Sequence, residues 1–284
     1  MSLSSLLRGA CFLLGLIELA CAYDPHPEEG KMLCSSNQCP QGYRCGSDNH
    51  CYTNLGGGSS ICQPTRGSGS LPLIDSVSDG DSSIIQQDGR SGGWFTFNDG
   101  TGTQTPAPSQ VTASPGKICT SGFGFTDWGA GLGVSLDSVG TSPNQTCAYD
   151  VTAYKGITFG IQGFVSGANL RFKIITAEIA TVANGGTCVS TIAGNNCDDA
   201  YGVDISSTTS GLVCTSGNSS WICGPLFGAS GPVTVTVPFS RMSQSGWGQV
   251  IALDLTKVLS LEWQFPAGTS GNGFNICISS LAFS

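Results

Sequence analysis

Histidine is nearly absent from this chain of 284 residues, which contains only His26 and His50. Both precede residue 72, where a long region of predicted strands begins. A Ser-His-Asp triad, a Cys-His pair and a histidine-ligated metal centre therefore cannot form within residues 72–284. Residues 89–93 (GRSGG) match the spacing of a serine nucleophile elbow. Without a base or a following helix, this pattern indicates a glycine-rich turn.

Charge is also scarce, since charged residues make up 11% of the chain and the formal net charge is −8. The lysines and arginines are scattered, whereas binding to a nucleic-acid backbone needs a basic stripe. Composition therefore excludes nucleic acid and favours a neutral or cationic partner. A glycoside-active enzyme would need two facing carboxylates. Glu178 at a strand end and Glu262 on the wet face of a strand are predicted to be solvated, so we expect no catalytic activity.

Residues 1–22 are typical of an export signal. Arg8 is the only charge before the apolar stretch 9–17, and small residues at 20–22 permit cleavage before Tyr23. The apolar stretch is too short to cross a bilayer, so no transmembrane span is predicted. We expect a secreted protein or, alternatively, a lipoprotein held at the outer cell surface by a lipid on Cys21.

Fourteen cysteines are present, of which Cys11 and Cys21 fall in the leader. The remaining twelve predict disulfides, because their number is even and the protein is exported. Residues 23–63 are predicted to form a cysteine-rich disulfide knot, since so short a segment has almost no apolar core. Zinc binding near His50 is an alternative, although the paired spacings of zinc modules are missing. Residues 64–71 have the composition of a flexible Gly/Ser linker.

Two cysteine pairs each enclose a polar loop, which makes a local disulfide the simplest pairing for each. These are Cys188 with Cys197, and Cys214 with Cys223. We further hypothesise that Cys62 crosses to the region after residue 72, because five cysteines precede that boundary and seven follow it. The other cysteines expected to form disulfides, with partners left open, are Cys34, Cys39, Cys45, Cys51, Cys119 and Cys147.

Residues 72–284 are predicted to form an all-β domain. Leu259, Leu261, Trp263 and Phe265 alternate with polar residues, and a second alternating run occupies residues 274–279. A Pro/Gly/Ser/Asn cluster at 266–273 separates the two runs, as in an antiparallel pair. The 41 glycines of the chain fit many short strands and turns. The pattern predicts a two-sheet antiparallel β-sandwich.

Three tryptophans are candidates for binding a sugar ring. Trp94, Trp128 and Trp247 each lie beside glycine in predicted loops or strand edges, whereas Trp263 belongs to the alternating core set. An exposed indole offers an apolar face to sugar C–H groups while nearby polar groups bind the hydroxyls. A glycine-flanked tryptophan that covers the core is the alternative. The candidate polar partners are Arg90, Asp99, Asp127 and Gln244.

Asp75, Asp79 and Asp81 fall within the run IDSVSDGD. Three carboxylates so close in sequence are suitable ligands for calcium, which takes six to eight oxygens. The alternative is an ordinary turn, because Asp and Gly are common turn residues. The sequence thus predicts a structural Ca²⁺ site as one of two interpretations.

The order of several motifs resembles that of a known family. The motifs are IDSVSDGD, DGRSGGWFTFNDG, GFGFTDWGAGLGVSL, CAYDVTAYKGITFGIQG, NLRFKI, VPFSRMSQSGWG and LDLTKVLSLEWQF. They resemble jelly-roll carbohydrate-binding modules similar to family eleven, and the related complex I intermediate-associated protein type of galactose-binding-like sandwich. The resemblance implies a two-sheet jelly roll with structural calcium and a shallow polysaccharide face. With a leader and a Cys-rich segment, the whole is similar to bacterial secreted surface proteins.

Two stretches depart from that family. Phe159-Gly160-Ile161 stands where one strand of the family typically ends in an apolar-aromatic Trp. Ser279-Ser280 stands where the family's last strand carries an Asp-Asp pair, one member of which helps to hold calcium.

The sequence predicts an exported, non-catalytic protein whose β-sandwich binds an extracellular or cell-wall polysaccharide. A surface interaction protein without sugar binding is the alternative, and a glycoside-active enzyme is a third. A groove lined by indoles favours the first function, whereas a flat Ser/Thr/Asn surface favours the second.

Overall fold

The computed structural model divides into two compact units, residues 1–45 with 49–53, and residues 46–48 with 54–284. Some strands are described by their backbone only: Met32–Leu33, Tyr43–Cys45, His50–Thr53, Val213–Ser216 and Ser219–Ile222. The residues described in full are 62, 65–138, 146–165, 170–190, 196–205, 232–265, 267 and 273–284.

The first unit contains a small antiparallel sheet in the order β1-β3-β2. Its strands are β1 (Met32–Leu33), β2 (Tyr43–Cys45) and β3 (His50–Thr53). The predicted leader, the anchor at Cys21, the zinc alternative at His50 and the disulfides of Cys34, Cys39, Cys45 and Cys51 lie outside what the structure describes.

The second unit is built from two large sheets. The front sheet has the order β16-β15-β20-β10-β6, with β13 and β4 at its margin. Its strands are β4 (Thr65–Arg66), β6 (Trp94–Asn98), β10 (Ala130–Ser135), β13 (Tyr149–Asp150), β15 (Arg171–Thr176), β16 (Tyr201–Asp204) and β20 (Val258–Phe265).

The back sheet has the order β18-β17-β19-β14-β21-β9-β7, with β5 beside β21 and β8 beside β9. Its strands are β5 (Leu73–Asp75), β7 (Thr103–Thr105), β8 (Thr112–Ser114), β9 (Lys117–Phe123), β14 (Gly156–Val165), β17 (Val213–Ser216), β18 (Ser219–Ile222), β19 (Val233–Pro238) and β21 (Gly273–Phe283). A separate short pair joins β11 (Asp137–Ser138) and β12 (Thr146–Cys147). Two short 3₁₀ turns, Val182–Asn184 and Phe239–Arg241, complete the described elements.

The predicted two-sheet antiparallel β-sandwich is confirmed. The alternating run in β20 buries Leu261, Trp263 and Phe265 between the sheets, and the run in β21 buries Phe274 and Ile276 opposite them. The Phe265 and Phe274 rings stack with centroids 4.0 Å apart across the sandwich. Period-two patterning thus specified which side of each strand faces the core.

Residues 65–68 of the predicted Gly/Ser linker are part of the sandwich. Strand β4 pairs in parallel with β13, and the backbone N–H of Ser68 donates to the carboxylate of Asp88. Cys62, which lies just before this linker, forms a disulfide with Cys147 of the sandwich, as hypothesised for Cys62. Composition predicted a flexible segment here because small residues are typical of linkers. The hydrogen bonds that hold the segment are made to β13 and Asp88, which are distant in sequence, so composition could not predict them.

Two further disulfides lie within the sandwich. Cys119 and Cys277 are directly opposite one another on β9 and β21, with Cα atoms 4.0 Å apart. Cys188 and Cys197 close the polar loop for which a local pairing was predicted. The proposed pairing of Cys214 with Cys223 lies outside the described side chains. Among the described residues, no helix is long and apolar enough to cross a membrane.

Candidate carbohydrate-binding face

On the outer surface of the front sheet, two phenylalanine rings cover glycines of the neighbouring strand. Phe95 and Phe97 point away from the core on β6, and their partners on β10 are Gly133 and Gly131. A Cβ atom on Gly131 would lie 2.1 Å from Cζ of Phe97, and one on Gly133 would lie 2.4 Å from Cζ of Phe95. Each ring therefore lies across the neighbouring strand, in space that exists because glycine has no side chain.

Trp128 extends these two rings into an aromatic strip. Its ring stacks on Phe97 with centroids 6.0 Å apart and an interplanar angle of 28°, and Phe97 lies 6.0 Å from Phe95. Trp128 remains 43% exposed. Phe95, Phe97 and Trp128, called the aromatic strip below, form a continuous apolar surface at one edge of the front sheet.

Asp99 orients the loop that carries Trp128. Its Oδ2 accepts hydrogen bonds from the backbone N–H groups of Asp127 and Gly129, on either side of the tryptophan. Its Oδ1 accepts from the hydroxyl and the N–H of Thr101. Burial works to raise the pKa of Asp99, but these hydrogen bonds outweigh it and lower the pKa below the ordinary value. Asp99 thus positions the stacking residue and holds a negative charge while doing so.

Polar side chains continue from the aromatic strip across the sheet. The cross-strand register aligns Gly131 with Gln264 on β20, Gln264 with Arg171 on β15, and Arg171 with Asp204 on β16. Gln264 donates from Nε2 to the carbonyl of Trp128 at 2.9 Å, and Arg171 forms an ion pair with Asp204 at 3.3 Å. We call Gln264, Arg171 and Asp204 the polar row.

A more buried ion pair supports this surface from the adjacent row. Lys173 Nζ lies 2.9 Å from Glu262 and 5.8 Å from the centroid of the Phe97 ring. Burial first, and then the negative charge of Glu262, raises the pKa of nearby Asp198, while Lys173 opposes the shift. The charged groups of this row are thus engaged with one another and with the strip, which leaves the face without a large excess of either sign.

An aromatic strip beside a row of amide, guanidinium and carboxylate groups has a defined chemistry. The ring faces can stack on the apolar C–H faces of sugar rings, while the polar row can donate to and accept from hydroxyl groups. Because Arg171 and Asp204 compensate one another, the face does not select for a charged ligand.

Trp94 and Asp75, predicted as a stacking residue and a calcium ligand, are both buried. Trp94 is 5% exposed and Asp75 is 1% exposed. Trp94 points inward from β6, where it stacks on Trp263 with centroids 5.7 Å apart. This corrects the binding role predicted for Trp94. Both faces of the WFTFN strand are apolar, so the pattern alone did not show which rings face the core.

Arg90 and Gln244 are engaged in holding the fold. Arg90 is 2% exposed, and its guanidinium donates to the carbonyls of Leu71 and Leu73 and to the hydroxyl of Tyr149. Gln244 donates to the carbonyls of Asp199 and Gln249 and accepts from the N–H of Ile251. Neither side chain belongs to the aromatic strip, which corrects the binding role predicted for both.

Trp247 and Asp127 are exposed, but the structure does not bring all candidates together. Trp247 is 55% exposed on a loop held by Asp199, whose carboxylate accepts from three backbone N–H groups at residues 245, 246 and 248. That loop follows Ser243, which bridges to β16, whereas Trp128 lies at the β6 edge of the same sheet. Asp127 lies beside Trp128 in the loop that Asp99 holds.

The aspartates predicted to bind calcium do not fit a shared metal site. Asp75 accepts hydrogen bonds from the N–H of Val77 and from Trp94 Nε1, while Asp79 and Asp81 accept from the turn backbone. Across the described residues, no group of three or more His, Cys, Asp or Glu side chains is placed to hold a metal ion. Calcium binding stays a prediction, and the turn interpretation accounts for the hydrogen bonds observed.

Sequence reasoning missed the aromatic and polar residues of this face other than Trp128 and Glu262, namely Phe95, Phe97, Gln264, Arg171, Asp204 and Lys173. A usable signal was the alternation of glycines in GAGLGVS, residues 129–135. Glycine at every second position removes all side chains from one face of a strand, which is what a close approach of large rings requires.

No protein-family model matches the chain, and no curated protein matches it. Among solved structures, the chain is similar to the family 11 carbohydrate-binding module of the cellulosomal cellulase Lic26A-Cel5E of Clostridium thermocellum. The identity is 14% and the TM-score 0.38, with 75% of this chain and 94% of that chain covered. The Clostridium thermocellum module in complex with a β-1,3-1,4-mixed-linked tetrasaccharide shows 14% identity and a TM-score of 0.35, with 72% and 95% covered.

The N-terminal cellulose-binding domain of the Cellulomonas fimi β-1,4-glucanase C is similar at 11% identity, with a TM-score of 0.28 and 75% and 95% of the two chains covered. These solved structures are carbohydrate-binding modules or domains, in agreement with the resemblance stated for the motifs. At TM-scores below 0.5, the similarity assigns no ligand to this chain, so the argument for function rests on its own residues.

Proposed function

We propose that this protein binds a neutral polysaccharide on the outer face of its front sheet, outside the cell and without cleaving it. The observation that carries the proposal is the stacked Phe97–Trp128 pair beside the polar row. Such a combination binds the two surfaces of a sugar ring, its apolar face and its hydroxyl edge.

The ion pairing of the two glutamates in the described part of the sandwich supports a non-catalytic role. Glu262 is paired with Lys173, and Glu178 with Lys257. Glycoside hydrolysis requires one carboxyl group with a raised pKa as the acid and a second as base or nucleophile. Each of these glutamates is instead held in an ion pair with a lysine ammonium group.

The test is binding of the full chain to an array of neutral oligosaccharides, followed by titration of the best ligand. Trp128→Ala should weaken binding about tenfold, equivalent to about 1.4 kcal/mol. Trp247→Ala is the matched control, because it removes an indole that is also exposed, 55% against 43% for Trp128, near the opposite edge of the sheet, and should leave the affinity unchanged. Unaltered binding by both Trp128→Ala and Phe97→Ala would show that the front face is not the site.

A further inference from the structure

On the strands of the back sheet whose side chains the structure describes, the outer face is almost free of charge, although charged residues are spread over the rest of the chain. Outward positions follow from the register of β7, β8, β9, β14, β19 and the first half of β21, residues 273–279. One of them is charged, Lys117 at the turn into β9. The non-glycine outward residues are Thr103, Thr105, Thr112, Ser114, Lys117, Cys119, Ser121, Phe123, Thr158, Gln162, Phe164, Thr234, Thr236, Pro238, Asn275, Cys277 and Ser279.

Two exposed aromatic rings stand among these hydroxyl and amide groups. Phe123 on β9 is 63% exposed and Phe164 on β14 is 47% exposed. They flank β21, where Phe123 is opposite Gly273 and Phe164 is opposite Asn275. Two strand spacings and a two-residue offset place their Cα atoms about 12 Å apart. One oligosaccharide could therefore contact both rings, passing over Gly273 and the amide of Asn275.

The composition of this surface points to one class of ligand. Among the outward positions named above the large apolar groups are aromatic, with no Leu, Ile, Val, Met or Arg, whereas Leu73, 37% exposed, lies on β5 at the margin of the same sheet. Protein interfaces are enriched in Met and Arg as well as in aromatic residues, and the positions named above offer two aromatic rings but no Met or Arg. Anionic polymers need clustered cations, and Lys117 is a single one. An uncharged polyhydroxyl chain matches both the rings and the Ser, Thr and Asn groups around them.

We propose that the outer face of the back sheet is a second binding site for neutral polysaccharide, centred on Phe123, Phe164 and Asn275. It is independent of the aromatic strip, because the two surfaces lie on opposite sides of the same sandwich. Sheets packed face to face are about 10 Å apart, with the core between them. One sugar chain lying flat on one face leaves the other face open. The protein therefore cross-links two polysaccharide chains or particles.

The experiment compares four forms of the full chain: wild type, the front variant Phe97→Ala/Trp128→Ala, the back variant Phe123→Ala/Phe164→Ala, and the variant with all four changes. Val250→Ala is the matched control, since Val250 is 89% exposed but lies on neither face. The altered back-face rings are exposed, so the back variant should melt close to wild type.

Two readouts are used with soluble and particulate forms of neutral β-glucan, xylan and galactomannan, and with polygalacturonate as an anionic probe. The first is retention on the particles, and the second is capture of labelled soluble polysaccharide by particles already coated with protein. The front and back variants should each retain binding to a neutral polymer but lose capture at least tenfold. The four-residue variant should lose both, and Val250→Ala should lose neither.

The outcomes separate the two sites. If the back variant captures as much soluble polysaccharide as wild type does, the second site does not exist. In that case, loss of binding by the front variant would still support the front-face site. If the front variant matches wild type while the back variant loses all retention, the second site stands and the proposed front-face function is wrong. A preference of the back face for polygalacturonate would overturn its assignment to neutral ligands.

Discussion

Trp94 Nε1 donates a hydrogen bond of 2.6 Å to Oδ2 of Asp75 in the interior of the sandwich. The other carboxylate oxygen of Asp75 accepts from the N–H of Val77 at 2.8 Å. Burial raises the pKa of Asp75, and the two hydrogen bonds oppose that shift. A stacking candidate and a calcium candidate thus satisfy one another inside the core, which leaves neither for an external ligand.

Trp94→Phe should destabilise the protein by about 1–3 kcal/mol, because it leaves a buried carboxylate oxygen without its donor. Trp128→Phe makes the same chemical change at an exposed ring and should cost under about 0.5 kcal/mol. Urea unfolding of both variants compares them directly. Equal midpoints would mean that the Trp94 hydrogen bond contributes nothing to stability.

Asp88→Asn should destabilise the protein at pH 7 by about 1–3 kcal/mol. Burial works to raise the pKa of Asp88, but hydrogen bonds from Ser68, Tyr154 and Tyr149 lower it below its ordinary value of 3.8. A carboxylate with a lowered pKa stabilises the fold above the unfolded-state pKa, and this contribution disappears as the pH falls through the folded-state value.

The difference in unfolding free energy between wild type and Asp88→Asn should therefore be constant from pH 7 to about 5 and shrink below about 4. Asn suits the positive φ of 55° at this position, so the backbone is not the cause of any loss. A difference that grows towards acid pH would contradict the lowered pKa.

Gly131→Ala should act through Phe97. The added Cβ would lie 2.1 Å from Cζ of that ring, so the ring must move away from Trp128. We expect a loss of about 1–3 kcal/mol in stability, as for overpacking elsewhere, together with weaker sugar binding. In a Phe97→Ala background the same substitution should cost almost nothing. A full double-mutant cycle measures this coupling, and additive effects would show that Gly131 is needed for another reason.

Cys62→Ser/Cys147→Ser should lower the unfolding free energy by about 2–5 kcal/mol, because the disulfide closes a long loop, with a sequence separation of 85. Peptide mapping of the unreduced protein should recover Cys62 joined to Cys147. Recovery of Cys62 joined to an upstream cysteine would contradict this pairing. Comparison with the Cys188→Ser/Cys197→Ser variant, which opens a loop of separation 9, controls for cysteine removal itself.

The fold was predictable from the sequence because strand patterning is a local property. The alternation in residues 261–265 and 274–279 identified β20 and β21 and the faces that they bury, but Leu259 lies at a register shift and packs in a separate cluster with Ile175 and Ile179. The disulfide between Cys188 and Cys197 followed from their closeness in the chain. Partners such as Cys119 and Cys277, separated by 158 positions, depend on which strands become neighbours, and spacing carries no information about that.

The site was predictable only in part, because exposure depends on which face of a strand meets the core. Trp128 was identified through its glycine-flanked loop, but the same reasoning applied to Trp94 failed. Phe97 sits in the same strand as Trp94, and only the glycines at 131 and 133 distinguish the two faces. Arg90 was misassigned because its acceptors are carbonyls of Leu71 and Leu73, which no motif reveals.

The disulfide between Cys119 and Cys277 joins strands near the two ends of the sandwich sequence. A protease that cuts once in any connection between these two cysteines would therefore produce a nicked molecule, not two fragments. On a gel without reductant such a product migrates as one species, and it separates into pieces only after reduction. Because β9 and β21 remain covalently paired across the nick, the two strands that carry Phe123 and Asn275 stay joined after the chain has been cut.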